Sequence, residues 1–189
     1  MDEHSSKRGN KGLKRNGAGF AIGIDFLRTV YYFISMEKQM IIYNDTCIYG
    51  RLFDDQFDHD IAADTIDIIL VIALCKANKY TIVGSQAVIF EHNKISNIVR
   101  RDAIDEQYKR TIDRSVTITA NVKARAQALQ TEGVKLMDSY HLAAAEAAGA
   151  DVLLTVDKDF IKIVAKKNLS DVKVINPLTF LREVYLWAQ

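Results

Sequence analysis

The sequence predicts a three-layer α/β/α domain built on a central, mostly parallel sheet, and three observations lead to it. Short apolar runs at 40–43, 80–83, 115–119, 152–155 and 172–175 alternate with longer stretches whose apolar residues recur at helical spacing. Strands separated by single helices require right-handed crossovers, which cover both faces of a parallel sheet. The 189 residues, 49% hydrophobic and 26% charged, are enough to bury one core and lie far from disordered or collagen-like composition.

The elements follow in order. Residues 40–43 form a buried-strand pattern, and Ile61, Ile68, Ile69, Ile72 and Ala73 mark a helix over 61–77. After the strand at 80–83, Ser85 is placed to cap a helix that carries Val88, Ile89 and Glu91, and a polar helix follows over about 97–110. Alternation at 115–119 suggests a third strand, with 121–132 helical behind it. Residues 136–148 are alanine-rich and stop at Gly149; 152–155 is a strand and 160–167 lies in the next helix. The strand at 172–175 precedes Pro177, whose fixed φ suits the first turn of a last helix carrying Phe180, Leu181, Val184, Tyr185 and Trp187. Phe180, Tyr185 and Trp187 form a docking face for the core or for a second subunit.

Upstream of this pattern the composition changes. Five of the nine glycines, Gly9, Gly12, Gly17, Gly19 and Gly23, share the first 23 residues with Lys7, Arg8, Lys11, Lys14 and Arg15. Residues 1–39 therefore read as a basic, Gly-rich leader, flexible or a misplaced start given Met36 and Met40, and 40–189 as the folded domain.

Composition excludes several classes. A formal net charge of +1 removes bulk basicity as a route to nucleic acid, leaving local patches or metal ions. Cys47 and Cys75 are too few for a disulfide framework and lack zinc-ligand spacing, which points to a reducing, cytoplasmic setting. Asp25 and Arg28 interrupt the apolar stretch at 18–36, so no membrane span is expected. The chain has no P-loop, no dinucleotide-binding glycine fingerprint and no nucleophile elbow.

The chemistry sits in the acids. Ligands of open parallel sheets bind beyond the carboxyl ends of the strands. Asp45 follows the first strand and Asp157 follows the strand at 152–155, so both emerge on one sheet edge. Asp138, in the first turn of the alanine-rich helix, and Glu91, on the helix after the second strand, are placed to face the same crevice. Converging carboxylates repel unless a cation lies among them, and hard oxygen donors suit Mg²⁺ or Mn²⁺ rather than zinc. Taken singly, each acid also fits an ordinary solvated helix or strand end.

Asp45-Thr46, Glu91, the helix Asp-x-x-His-Leu-Ala from Asp138 to Ala143, the Thr-x-Asp of Thr155 and Asp157, and Val-Ile-Asn-Pro-Leu-Thr-Phe-Leu from Val174 closely resemble PIN-domain proteins. The resemblance covers roughly residues 40–181. It implies a Mg²⁺- or Mn²⁺-dependent endoribonuclease that hydrolyses RNA phosphodiesters with metal-activated water, in the manner of VapC-like toxins held by an antitoxin protein, and a homodimer. It also implies that Asp45, Glu91, Asp138 and Asp157 form the catalytic and metal-holding set. Thr155 would orient a ligand, and Asp159 would be a supplementary acid or an exposed first-turn acid favoured by the helix dipole. His141, three residues after Asp138 on nearly the same helix face, is read as a residue packed behind the metal-holding acids rather than as a ligand. The alternative is a non-catalytic PIN-like module that binds RNA or protein.

Further residues keep two readings. Arg51 either binds a substrate phosphate or pairs with Asp54 or Asp55. The nine basic residues between Lys94 and Lys135 either contact RNA phosphates or form solvated helix faces. The acids Asp54, Asp55, Asp58, Asp60, Asp64 and Asp67 either receive a basic partner segment or are solvated.

Overall fold

The computed structural model describes residues 39–187, with side chains to 183. Residues 1–38 of the leader thus lie outside the described residues, as do the side chains of Val184, Tyr185 and Trp187.

The central strands are short and buried on both sides, so they are stable only between two helical layers, whereas the edge strand over 114–116 is exposed at Arg114 and Ser115. The strands β1 (Ile41–Asn44), β2 (Thr81–Ser85), β3 (Arg114–Val116), β4 (Val152–Leu154) and β5 (Lys173–Ile175) form one sheet in the order β3-β2-β1-β4-β5. Every pairing is parallel. Ile42 of β1 faces Ile82 and Val152 across the sheet, while Tyr43 faces Val83 and Leu153. The alternation divides the core. Ile42, Ile82, Val152, Leu154 and Ile175 pack with Ile68, Val71 and Phe180 on one face. Tyr43, Val83 and Leu153 pack with Leu129, Leu142 and Phe160 on the other.

The helices are α1 (Thr46–Gly50), followed by a 3-10 turn at Arg51–Phe53, α2 (His59–Ala77), α3 (Gln86–His92), α4 (Ile98–Thr111), α5 (Ala120–Thr131), α6 (Leu136–Ala148), α7 (Lys158–Lys167) and α8 (Pro177–Trp187). The expected single-helix crossovers hold only between β4 and β5. The other connections are split by local stops that the side chains themselves make: Asp58 caps α2, Asn97 caps α4, and Gly133 at φ 91° breaks the chain before α6. The third strand ends at Val116 rather than 119 because Thr119 turns to cap α5, accepting from Val122 N. Ser85 caps α3, as expected, and Gly149 ends α6 in the left-handed region at φ 66°.

One close approach fixes α4 on the sheet. A Cβ at Gly84 would come within 2.4 Å of the Tyr108 ring. Tyr108 in turn packs edge-on against Tyr49 and His92.

Candidate metal centre

The strand order reverses between β1 and β4, the switch point at which open parallel sheets bind ligands beyond their carboxyl ends. Asp45 stands there. Its backbone N–H donates to Leu154 O across the β1–β4 pair, and its side chain caps α1 by accepting from Thr46 N at 2.6 Å. The second carboxylate oxygen accepts from Thr155 Oγ1 at 2.7 Å and from the Cys47 thiol at 3.2 Å. Both oxygens are thereby oriented, and the residue is only 7% exposed.

Two helices bring further groups to it. Glu91, on α3, accepts from Thr46 Oγ1 at 2.5 Å and lies 2.7 Å from His141 Nε2. The same His141 nitrogen is 3.2 Å from Asp45. Donor atoms of Asp45, Glu91 and His141 all lie within 4.8 Å of one another. Behind them His141 Nδ1 bonds the Tyr43 hydroxyl at 2.9 Å, which bonds Ser85 Oγ at 2.6 Å. With the imidazole doubly protonated, Nδ1–H donates to Tyr43 and the tyrosine donates onward to Ser85.

The charges explain the titration. Burial disfavours the His141 cation, but the Asp45 charge, the Glu91 hydrogen bond and the charges of Glu91 and Asp138 outweigh it, so its pKa is raised. Burial would raise Glu91; bonds and charge from His141, with Thr46 and Lys94, lower it instead. Asp138, on the first turn of α6, is pushed up to about 6 by burial and by the neighbouring Asp45 and Asp157 charges. Asp157 caps α7, accepting from Asp159 N and Phe160 N, and pairs with Lys135 at 3.2 Å. These bonds outweigh burial and lower its pKa.

The four acids expected from the sequence therefore fall into two groups. Asp45 and Glu91 lie within ligand distance of one another, with His141 as the third member. Asp138 reaches this group through its field, and Asp157 is engaged at the head of α7. Asp159 is exposed in the first turn of α7. Three groups were not expected at the site: Thr46, read only as part of the Asp-Thr motif, Ser85, read only as a helix cap, and Tyr43. The signal for Thr46 was available, since a hydroxyl directly after a capping Asp sits in the first turn of a helix. No pattern in the sequence pairs Tyr43 with His141.

Arg51 lies 3.3 Å from Asp54 and from Asp64, with its Nε lacking a hydrogen bond, and Arg100 reaches Asp54 at 2.5 Å. Arg51, Asp54 and Arg100, with Thr46, Cys47 and His92, line a cavity of about 260 Å³. His92 itself is buried and bonds Asp105 at 2.7 Å. Within the basic segment, Arg100, Arg101, Arg110, Arg125 and Lys135 each hold an acidic partner of this chain.

A sheet of this order with oriented acids at its switch point defines a PIN-type α/β domain. The chain belongs to the PIN domain family, whose model matches residues 42–166. It is similar to the crystal structure of VapC20 from Mycobacterium tuberculosis, described as a sarcin–ricin loop cleaving toxin, at 17% identity and a TM-score of 0.46, over 70% of this chain and 98% of that one. No curated protein matches the chain.

Proposed function

We propose that the chain is a divalent-metal-dependent endoribonuclease acting on RNA phosphodiesters, and the toxin of a toxin–antitoxin pair. The observation that carries this reading is the convergence of Asp45, at the cap of α1 just after β1, with Glu91 of α3 and His141 of α6, together with the raised pKa of the Asp138 carboxyl. Membership of the PIN family and the sequence resemblance to VapC-like toxins support it.

The residues fit a hard cation. Burial, with the charges of Asp45 and Asp157, pushes Asp138 up to about 6, so the acids form a site short of positive charge, and their oxygens suit Mg²⁺ or Mn²⁺. Asp45 and Glu91, with Asp138 and Asp157, would hold it. When bound, such an ion polarises a phosphodiester and makes water nucleophilic near neutral pH.

This chain's own groups do the rest. Thr155 and the Thr46 amide fix both Asp45 oxygens, so the carboxylate needs no reorganisation when it engages a ligand. Glu91, held ionised by His141 and Thr46 at Oε2, is the acid available to orient water and accept its proton at Oε1. Asp138, raised to about 6 in the metal-free site, must release its proton to take its place among the metal-holding acids.

The test is RNA cleavage by the full chain and by Asp45→Asn and Asp138→Asn, each with Mg²⁺, Mn²⁺ or EDTA. Asn keeps the cap at 45, so the fold should survive. Cutting that requires metal and is lost in both variants supports the reading; full activity in either variant overturns it. Metal binding by calorimetry without cutting on any RNA supplied favours the non-catalytic module.

A further inference from the structure

The cavity of about 260 Å³ adjoins the metal centre. Two residues of its wall are bonded to the acids there: Thr46 Oγ1 donates to Glu91 at 2.5 Å, and the Cys47 thiol donates to Asp45 at 3.2 Å. A group held in the cavity therefore lies one side chain away from the acids. The volume falls below the roughly 300–1,000 Å³ of sites for larger organic ligands, and suits a single small ring system.

The charges of the wall disfavour an anion. Asp54 pairs with the guanidiniums of both Arg51 and Arg100, and Asp64 pairs with Arg51 Nε, so two cations stand against two acids. What the wall offers instead is a neutral hydrogen bond. His92 is fully buried. Its Nδ1–H donates to Asp105 at 2.7 Å, and its Nε2, an acceptor in the neutral ring, has no partner among the described residues. A buried polar atom without a partner is costly, so a ligand that presents an N–H to Nε2 gains a bond that the fold leaves unmade. Ile95 and Ile104 supply apolar surface beside it.

Gly50 keeps the space open. It ends α1 with φ −72° and ψ −34°, helical values that any residue adopts, and a Cβ there would meet nothing within 4 Å. Glycine costs a helix stability relative to alanine, and neither backbone nor packing asks for it here. A side chain at 50 would take up room in the cavity that Gly50 lines.

We propose that this cavity is a nucleobase pocket: one unstacked base of the RNA enters it, sets an N–H edge on His92 Nε2 and packs against Ile95 and Ile104. The base held there fixes which nucleotide stands next to the bond presented to the metal centre. Single-stranded RNA is read in this way, through unstacked bases held on side chains and hydrogen-bonded at their edges. Placing the base on an RNA substrate rests on the nuclease reading; the pocket itself does not.

The full chain, labelled at its isoleucine methyl groups, is titrated in EDTA with adenosine, guanosine, cytidine and uridine, and separately with inorganic phosphate and ribose 5-phosphate, and followed by NMR. At least one nucleoside should shift the Ile95 and Ile104 methyls saturably, and neither phosphate should. An analogue whose base carries no N–H, such as purine riboside for adenosine or 3-methyluridine for uridine, should bind about tenfold or more weakly than its parent. Gly50→Leu should weaken the same nucleoside, with circular dichroism and Mn²⁺ calorimetry as controls of the fold and the metal centre. No metal and no phosphodiester takes part, so this arm is decided whether or not the chain cuts RNA. In a second arm, wild type and Gly50→Leu are given a random-sequence RNA pool with Mn²⁺. Wild type should cut at a fixed distance from the base that binds in the first arm, and Gly50→Leu should lose most of that preference. Silence of both isoleucines toward all four nucleosides, an equal response to phosphate, undiminished binding of the analogue without an N–H, or a base preference that Gly50→Leu leaves intact overturns the pocket. Saturable nucleoside binding by a chain that cuts no RNA upholds the pocket and removes the nuclease reading.

Discussion

His141 Nε2 lies 2.7 Å from a Glu91 carboxylate oxygen and 3.2 Å from Asp45, so one buried imidazole stands between two acids that come from different layers of the fold. Burial opposes its charge, and the acids restore it. The imidazolium therefore acts as the counter-charge of the metal-free site. Replacing His141 with Ala leaves Asp45 and Glu91 facing each other without it. In EDTA this should cost about 2–3 kcal/mol of stability, less than for a fully buried pair because Glu91 is about a quarter exposed. Millimolar Mn²⁺ should remove most of the deficit, because a cation among the acids does the work of the imidazolium. Thermal melts of both proteins with and without metal decide it; a deficit unchanged by Mn²⁺ would refute the exchange.

The pH dependence follows from the same groups. Asp138 titrates near 6 in the folded chain against an ordinary 3.8, so the folded state holds a proton that the unfolded state has released between those values. Its ionisation therefore lowers stability as pH rises from about 4 through 6. His141 is raised; the stability it contributes is present below its ordinary 6.5 and lost as pH rises through its higher folded value. Both act in one direction. The metal-free protein should lose stability between pH 5 and 8, with a shallower slope in Asp138→Asn, while Mn²⁺ affinity should rise over the same interval. His92, lowered chiefly by burial, acts in the opposite sense below its ordinary 6.5, so the comparison with the variant decides: equal slopes for wild type and Asp138→Asn in EDTA would contradict the Asp138 assignment.

Much of this was legible in the sequence because local rules and tertiary packing agree. The helix at 136–148 starts and stops where its alanines and Gly149 say, and Ser85 caps α3 as its position implies. Asp45 and Asp157 fall at adjacent strand ends because parallel neighbours share an edge. What pattern reading could not supply is rotation. Glu91 and His141 face each other only because α3 and α6 present particular faces to one site, and helical spacing along α6 does not say which neighbour a histidine meets. The short α1 was hidden for a related reason: five residues hold too few periods, and its start depends on Asp45 acting as cap and site residue at once.

Gly84 sets how closely α4 approaches the sheet. A Cβ there would meet Tyr108 ring atoms at 2.4–2.7 Å, and Tyr108 is held edge-on by Tyr49 and His92. Gly84→Ala should destabilise by about 1–3 kcal/mol, the usual range for overpacking a filled core. Since His92 follows Glu91 on α3, the displaced ring should also weaken metal binding. Urea denaturation of Gly84→Ala beside Gly84→Ala/Tyr108→Leu checks the cause. Partial recovery in the double variant is expected, and equal destabilisation of both would place the strain elsewhere.

Thr155 offers the sharpest separation of orientation from fold. Its hydroxyl donates to Asp45 at 2.7 Å and accepts from Asp157 N at 3.1 Å, tying the first acid of the site to the strand end that carries the last. Valine has the same shape and none of this bonding. Because Thr155 is fully buried, Thr155→Val leaves the Asp157 amide without that acceptor, at a cost of about 1–3 kcal/mol. The larger effect should fall on the site. Asp45 keeps the Thr46 amide on one oxygen but retains only the Cys47 thiol on the other. Partners that orient a ligating group are worth about 10–100-fold in metal affinity. Calorimetry with Mn²⁺ should show that weakening in Thr155→Val, while Thr155→Ser, which keeps the hydroxyl, should stay within a few-fold of wild type. Equal affinity in all three proteins would mean that Asp45 is held by the Thr46 cap alone, and that the Thr155 bond serves only the packing of β4.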